Sequence, residues 1–271
     1  MPIDVVPMWD FKHPEVSEQR FRSALQGAVG DDALILQTQI ARTFGIRKDF
    51  TTARELLKNI EPSMATAGAE ARVRYQLELG RTYASATHAP ELLTPDAKVR
   101  ARAAYNEALQ TAQAAHLDGL SIDAIHMLAF VDTSPEDQLK WAQTALAVVE
   151  ASTQPEAKRW EASIRNNLGY ALHQLGRYDE ALQQFNEAVT LREAGADAGN
   201  IRVAYWMVAW TLRAMQRNDE ALAIQLRLER ECDEAGEPDP YVFEELETLY
   251  RAAGTIERAE FYANRRRSAA P

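Results

Sequence analysis

Apolar residues recur at every third or fourth position along most of the chain, and no segment alternates apolar and polar residues over the length of a strand. In residues 201–215, for example, Tyr205, Val208, Ala209 and Leu212 fall on one face of an α-helix. The intervening positions hold mainly Ala, Glu, Gln and Arg, which are good helix formers. The 12 glycines and 11 prolines cluster at a few places, where they mark helix ends. The pattern predicts an all-α protein, helical from end to end.

The clearest internal unit spans residues 161–194 and combines small residues with large ones. Gly169 stands in its first predicted helix, and Ala181 and Phe185 stand in its second. Small residues where the helices cross allow a close approach, and the large side chain fills the volume beside the crossing. Gly176 lies between the two helices and suits the left-handed conformation that ends a helix. The unit is therefore predicted to be an antiparallel helix pair.

This unit resembles the tetratricopeptide repeat, in which helix A carries Leu-Gly and a large residue and helix B carries Ala, Phe and Ala. Leu168, Gly169, Leu172, Ala181, Phe185 and Ala188 match that pattern. Related helix-B anchors stand at positions 53, 101, 138, 181, 221 and 259, at intervals of 37 to 48 residues, whereas the standard repeat has about 34. The chain is thus similar to the long-period variant found in kinesin light chains and bacterial peptide-sensing proteins. The resemblance implies a right-handed superhelical solenoid of antiparallel helix pairs with about six repeats.

The predicted organisation has two parts. Residues 1–31 are expected to form an N-terminal segment with a capping helix over residues 14–29, and residues 32–271 a single continuous solenoid domain. A proline-bearing insertion at residues 88–96 is expected to lie between the two helices of the second repeat.

Composition narrows the partner class. The net charge of −10 disfavours nucleic acid, which needs a basic face. The N-terminus has no basic start followed by an apolar run, and no uncharged stretch approaches the roughly 18 apolar residues of a membrane span. We therefore expect a cytoplasmic protein without nucleic-acid or membrane partners. Arginines far outnumber lysines, a bias that favours a bacterial source.

Histidine, serine and cysteine, which often act in catalysis, do not occur here in the sequence patterns of known active sites. The five histidines, at positions 13, 88, 116, 126 and 173, contain no pair with the zinc-protease spacing. The sequence has no phosphate-binding glycine loop and no Gly-x-Ser-x-Gly elbow. Cys232, the single cysteine, stands among acidic residues, which disfavour a reactive thiolate. We expect no catalytic residue, no metal and no cofactor, and hence a protein that is not an enzyme.

Helix A lines the inner, concave surface in this repeat family, so the resemblance implies a groove formed by the helix-A side chains that do not pack within the pair. The helix from 201 to 215 shows such a second stripe, with two tryptophans between two arginines. The predicted partner-binding residues are Arg42, Arg81, Met127, Phe130, Asn166, Tyr170, His173, Arg202, Trp206, Trp210, Arg213 and Arg251.

Two interpretations of Trp206 and Trp210 are open from the sequence. Aromatic residues at helical spacing usually pack in a core, so both rings can belong to the contact with the neighbouring helix A. Tryptophan and arginine also dominate binding energy at interfaces, and Arg202 and Arg213 share the stripe. We favour the second interpretation, in which the tryptophans form the centre of a binding surface.

The sequence thus predicts a non-enzymatic scaffold that binds a protein or peptide segment with apolar or aromatic anchors and some acidic character. One alternative is a sensor that binds a small peptide or metabolite and relays the event to a partner. A second alternative is a module for homo-oligomeric assembly, such as a homodimer.

Overall fold

The computed structural model describes residues 3–195 and 197–269, and every regular element in these two ranges is a helix. The α-helices are α1 (Pro14–Leu25), α2 (Gly30–Ile46), α3 (Phe50–Ile60), α4 (Ala69–Arg81), α5 (Pro95–Ala114), α6 (Asp118–Leu128), α7 (Pro135–Ala151), α8 (Pro155–Lys158), α9 (Glu161–Gln174), α10 (Tyr178–Gly195), α11 (Ala198–Ala214), α12 (Asn218–Ala235), α13 (Pro240–Ala252) and α14 (Ile256–Ala269). Short 3₁₀ helices occupy Val6–Met8, Glu61–Ala65 and Pro90–Leu92.

The chain divides into two compact units, Met1–Trp160 and Glu161–Pro271. Successive helices pack in pairs within each unit: α2 with α3, α4 with α5 and α6 with α7 in the first, and α9 with α10, α11 with α12 and α13 with α14 in the second. The predicted all-α fold of about six helix pairs is therefore confirmed. A right-handed superhelical course and a single continuous domain over residues 32–271 stay predictions.

Helix starts follow local chemistry. The side chains of Asp49, Thr94, Ser134, Asp197 and Asp239 each accept a hydrogen bond from a backbone N–H in the first turn of the helix that follows. Such caps satisfy N–H groups that have no partner inside the helix.

In two of the helix pairs, α4 with α5 and α9 with α10, a glycine of the first helix lies against a large ring of the second. A Cβ added at Gly169 on α9 would lie 2.7 Å from the ring of Phe185 on α10, and one added at Gly80 on α4 would lie 2.4 Å from the ring of Tyr105 on α5. Both rings are fully buried. Gly176 ends α9 with a φ of 73°, as its predicted capping role requires.

Five of the six predicted helix-B anchors are buried alanines, at positions 53, 101, 181, 221 and 259. The sixth prediction, Gln138 on α7, is wrong, because its side chain is only half-buried. The fully packed positions on that helix are Ala142, Ala145 and Val149. Repeat spacing alone does not distinguish Gln138 from the small residues that follow it on the same helix, so it misplaces the anchor.

The N-terminal segment packs as a cap on the first pair. The capping helix α1 ends at Leu25, four residues before the predicted end at 29. Trp9 stacks on Phe11, with 4.8 Å between ring centroids, and contacts Phe21 of α1 edge-on at 5.0 Å. The predicted insertion at 88–96 falls, as expected, mostly in the connection between α4 and α5 and includes the 3₁₀ helix Pro90–Leu92.

Candidate functional site

The first unit contains a cavity of about 250 Å³ beside the C-terminal halves of α2, α4 and α6. Its walls include four of the predicted binding residues, Arg42, Arg81, Met127 and Phe130. Four further lining residues were not among the predicted ones, namely two carboxylates, Glu78 and Asp123, and two aromatic residues, His126 and Trp160.

A four-charge cluster, formed by Arg42, Glu78, Arg81 and Asp123, lines the polar side of this cavity. Arg81 donates from one nitrogen to Glu78 Oε1 at 2.5 Å and from the other to Asp123 Oδ1 at 2.5 Å. Burial opposes ionisation of Asp123, but the charges of Arg81 and Arg42 outweigh it and lower the pKa of Asp123. Arg81 thus has a carboxylate at each end of its guanidinium, and its charge is locally satisfied.

Arg42 is less well paired. Its nearest carboxylate oxygen, Glu78 Oε1, lies 3.8 Å from Nη1, beyond hydrogen-bonding distance. Its guanidinium carbon lies 5.3 Å from the Trp9 ring centroid and 5.6 Å from that of Phe11, so two aromatic rings support it. Burial and then the charge of Arg81 lower the pKa of Arg42. An additional anion beside Arg42 would relieve this repulsion.

Glu78 holds the complementary free atom. Its side chain is 3% exposed, and its Oε2 is buried without a hydrogen-bond partner within the described part of the chain. A buried carboxylate oxygen without a donor is costly. The cavity therefore combines an arginine with spare donors and a glutamate with a spare acceptor.

The other lining residues of the cavity include aromatic and apolar side chains. His126 packs edge-on against Phe130, with 5.2 Å between centroids, and lies 5.5 Å from Trp160. Burial lowers the pKa of His126, so its ring is neutral near pH 7. Met127 belongs to the buried core beneath.

The second unit carries the other predicted binding residues and a different chemistry. Four side chains on three helix-A elements, which we call the aromatic row, follow one another in the order Tyr170, Trp210, Trp206 and Tyr241. Successive ring centroids are 5.9, 5.9 and 6.5 Å apart. The first two contacts are stacked and the third is edge-on, which are the favoured aromatic geometries.

Exposure varies along the aromatic row. Tyr170 is 41% exposed and Tyr241 is 65% exposed, whereas Trp206 and Trp210 are half-buried. The Trp206 indole nitrogen is buried and has no hydrogen-bond partner within the described ranges. Each tryptophan therefore packs against neighbouring helices and still keeps part of its surface open, and a binding role for the two rings stays a prediction.

His173 supports the row from behind. Its ring stacks on Trp210 at a centroid distance of 3.4 Å, and its Nδ1 lies 3.1 Å from Thr211 Oγ1. The Thr211 hydroxyl donates its hydrogen to the Met207 carbonyl, so Nδ1 is the donor to Thr211. Burial, followed by the charge of Arg213, lowers the pKa of His173 to about 4. His173 is thus a neutral, buried supporting ring and not an exposed contact.

The predicted arginines of this unit are occupied by glutamates. Arg213 makes a two-pronged bond to the buried Glu245, with distances of 2.7 and 2.8 Å. Arg202 pairs with Glu237 at 2.5 Å, and Arg251 pairs with a glutamate on its own helix at 3.0 Å. Each of these arginines therefore already has a carboxylate partner in the same unit, and its place on a binding surface stays a prediction. Asn166 is half-buried one turn before Tyr170.

The partners of these arginines could not be read from the sequence, because Glu237 and Glu245 lie 35 and 32 residues from the arginines they contact. Tyr241 is a further residue that sequence reasoning missed, since it stands beside Pro240 in the first turn of α13, where the helical stripe begins. Its position relative to Trp206 could have been found by aligning the repeats.

Other site types lack support in the described residues. No helix there is long and apolar enough to cross a membrane. Residues 3–195 and 197–269 also contain no group of three His, Cys, Asp or Glu side chains placed to hold a metal ion. Cys232 is buried, and burial is the main cause that raises the pKa of its thiol.

A sequence profile of the tetratricopeptide repeat family matches residues 139–194 and 160–230. These matches extend from α7 to α12 and confirm the family resemblance for about a third of the chain. No curated protein sequence matches the chain.

Solved structures show the same fold over nearly the whole chain. A Signal Transduction ATPase with Numerous Domains protein with a tetratricopeptide repeat sensor, from Pyrococcus horikoshii, matches 94% of this chain with a TM-score of 0.69 and 12% identity. Only 38% of that protein is covered, so the chain spans about two fifths of its length. The apo form of RapI matches 96% of this chain and 70% of its own, with a TM-score of 0.68 and 12% identity.

A Rap protein complexed with Competence and Sporulation Factor matches 95% of this chain and 80% of its own, with a TM-score of 0.57 and 15% identity. At these identities the likeness shows the fold alone, which is that of a tetratricopeptide-type α-solenoid.

Proposed function

We propose that this chain, which contains tetratricopeptide repeats and has the corresponding α-solenoid fold, is a non-enzymatic scaffold that binds a protein or peptide segment on the helix-A face of its second unit. The structural likeness to a Rap protein in complex with Competence and Sporulation Factor supports a binding role. The aromatic row is the observation that carries the proposal.

Four large rings in one line on three helices exceed what packing requires. Tyr241, at 65% exposure, and Tyr170, at 41%, leave much of their surface open to solvent, as does Val203 of α11 at 55%. Exposed apolar surface that is continuous marks interaction sites, and Trp and Tyr are enriched among the residues that dominate binding energy. A partner with aromatic or aliphatic side chains would cover these rings.

Any acidic group of the partner is best placed beside Arg202. Glu237, which pairs with Arg202, has a side chain that is 62% exposed. Water can therefore hydrate its carboxylate when a carboxylate of the partner takes its place. Glu245, the partner of Arg213, has a side chain only 6% exposed, and displacing it would leave a buried charge unpaired. We therefore place the acidic character of the partner next to Tyr241 and Trp206, at the Arg202 side of the row.

The test uses the exposed members of the row, because their replacement spares the core. Random linear peptides displayed on phage are selected against the full chain, and the affinities of the recovered peptides are measured by fluorescence polarisation. Tyr170→Ser combined with Tyr241→Ser should weaken binding by roughly 30-fold, which corresponds to about 2 kcal/mol. Phe261→Ser is the matched control, since this exposed aromatic residue lies on α14, a helix-B element of the same unit.

Equal affinity of the double variant and the wild type for every selected peptide would remove the aromatic row as the binding site. Sedimentation equilibrium separates the assembly alternative: a dimer that the double variant loses, with no peptide recovered, would assign the row to a second copy of this chain.

A further inference from the structure

We propose that the cavity in the first unit is a binding site for a free α-amino acid with an apolar side chain. The inference does not depend on the peptide-binding proposal, because it uses none of the residues of the aromatic row. It rests on two unsatisfied groups that belong to residues lining one cavity, and on the apolar residues that line the same cavity.

Arg42 provides the place for the carboxylate. Within the described residues its side chain makes no hydrogen bond, and the closest carboxylate oxygen is 3.8 Å from Nη1. The rings of Trp9 and Phe11 support the guanidinium at 5.3 and 5.6 Å, so its N–H groups are the part left to bind an acceptor. A carboxylate is the acceptor that matches this fork in shape and charge.

Glu78 provides the place for the ammonium group. Its Oε1 is taken by Arg81 at 2.5 Å, whereas its buried Oε2 has no donor among the residues described. An ammonium group brings three donors and a positive charge, and Asp123 in the same cavity adds a second negative charge nearby. Both requirements of Glu78, a donor and a countercharge, are met by one ligand group.

The spacing points to a single amino acid and not to a peptide. Glu78 and Arg42 approach within 3.8 Å, so their ligand groups must also be neighbours. An α-amino acid carries its ammonium and carboxylate on one carbon atom, whereas a peptide separates them by at least one residue. The volume of about 250 Å³ lies below the roughly 300–1,000 Å³ of pockets for drug-sized ligands, which agrees with a ligand of this size.

The apolar wall defines the side chain. Phe130, Trp160 and Met127 line the cavity, and His126 beside them has its pKa lowered by burial, so this side carries no positive charge near neutral pH. An apolar ligand side chain would gain burial there, while a charged one would lose its water without a partner. Leucine, methionine and phenylalanine are the representatives of the proposed class.

The first test varies the ligand and leaves the protein unchanged. Isothermal titration calorimetry with L-leucine, L-methionine and L-phenylalanine should show saturable binding at one site. L-phenylalaninamide, which lacks the carboxylate, and N-acetyl-L-phenylalanine, which lacks the ammonium, should each bind about tenfold to hundredfold more weakly, because each loses a charge-assisted hydrogen bond. Failure of all three amino acids to bind at millimolar concentration overturns the proposal, as does equal binding of both analogues.

The second test assigns the groups. Arg42→Gln should weaken binding of L-phenylalanine about tenfold or more but leave binding of L-phenylalaninamide unchanged, because the amide does not use that side chain. Arg72→Gln, an exposed change on α4, is the control. A loss that is equal for acid and amide would mean that Arg42 acts only in folding and would refute its assignment to the carboxylate. Tyr170→Ser with Tyr241→Ser should leave amino-acid binding intact, so the outcomes of the two proposals can be told apart.

Discussion

Replacing Gly80 by alanine tests how closely α4 and α5 must cross. A Cβ at this position would stand 2.4, 2.7 and 2.8 Å from three ring atoms of Tyr105. The ring cannot swing away, because it is fully buried and its hydroxyl donates to the Ala84 carbonyl at 2.6 Å. The added methyl must therefore push the two helices apart or force the ring off its rotamer.

The magnitude follows from two opposed effects. Alanine is favoured over glycine in a helix by about 1 kcal/mol, so a tolerated replacement would stabilise the fold. Overpacking in a dense core costs about 1–3 kcal/mol, and the doubly anchored Tyr105 places Gly80→Ala at the upper end. Gly45→Ala, on α2 in the same unit, is the matched control, because nothing lies within 4 Å of its added Cβ. We expect it to raise the free energy of unfolding by about 0.5–1 kcal/mol.

The assay is urea unfolding followed by circular dichroism, with the slope of the transition checked to be the same for all variants. Gly169→Ala should behave like Gly80→Ala, since its Cβ meets the buried Phe185 ring at 2.7 Å, and adding Phe185→Leu should recover part of the loss. If Gly80→Ala proves as stable as Gly45→Ala, the crossing of α4 and α5 has room for a methyl group and the contact distances do not limit it.

Three further predictions concern titration, charge pairing and reactivity. The pKa of His173 is lowered to about 4. The contribution of its neutral ring to the free energy of unfolding should therefore be fully present above about pH 6.5, and about 3 kcal/mol of it at most should be lost as the pH drops toward 4. His173→Gln should therefore lose less stability than wild type in urea unfolding between about pH 7 and pH 5; an unchanged loss would contradict the lowered pKa. Arg213→Met should destabilise by about 2 kcal/mol in the same assay, because Glu245 loses both of its hydrogen bonds. Adding Glu245→Met should restore much of the loss, and no recovery would mean that the arginine stem, and not the ion pair, matters. Cys232 should react with a thiol reagent only upon unfolding, since burial raises the pKa of its thiol; rapid reaction of the native protein would exclude this.

Much of the fold could be predicted because the repeat uses short-range signals. Gly169, Ala181 and Phe185 lie within 17 residues of one another, and their sizes decide whether two adjacent helices can cross closely. The same logic locates the buried helix-B alanines at positions 53, 101, 181, 221 and 259 from the sequence alone. It fails at Gln138, because the small residues that pack on that helix, Ala142 and Ala145, stand one and two turns beyond the position that the repeat spacing indicates.

The binding surfaces were less predictable because their character depends on contacts between repeats. The sequence places Trp206 and Trp210 on a stripe separate from the packing stripe, but their half-burial results from helices that precede and follow α11. The charges of Arg202 and Arg213 are visible in the sequence, whereas the carboxylates that satisfy them stand more than 30 residues away. The sequence shows that a residue is an arginine but not whether a carboxylate pairs with it, so paired and unpaired arginines cannot be distinguished from the sequence.

One repeat position explains how the same scaffold forms two different sites. The residue after the small residue of helix A is Arg42 after Ala41, Arg81 after Gly80, Tyr170 after Gly169 and Trp210 after Ala209. In the first unit this position supplies both arginines of the cavity, and in the second unit it supplies two rings of the aromatic row. The preceding small residue is fixed by the helix crossing, whereas the next residue contacts a neighbouring helix A, as Arg81 contacts Asp123 of α6 and Tyr170 contacts Trp210 of α11. The chemistry of each unit is therefore set beside the repeat motif, which is why the motif reveals the scaffold and not its ligands.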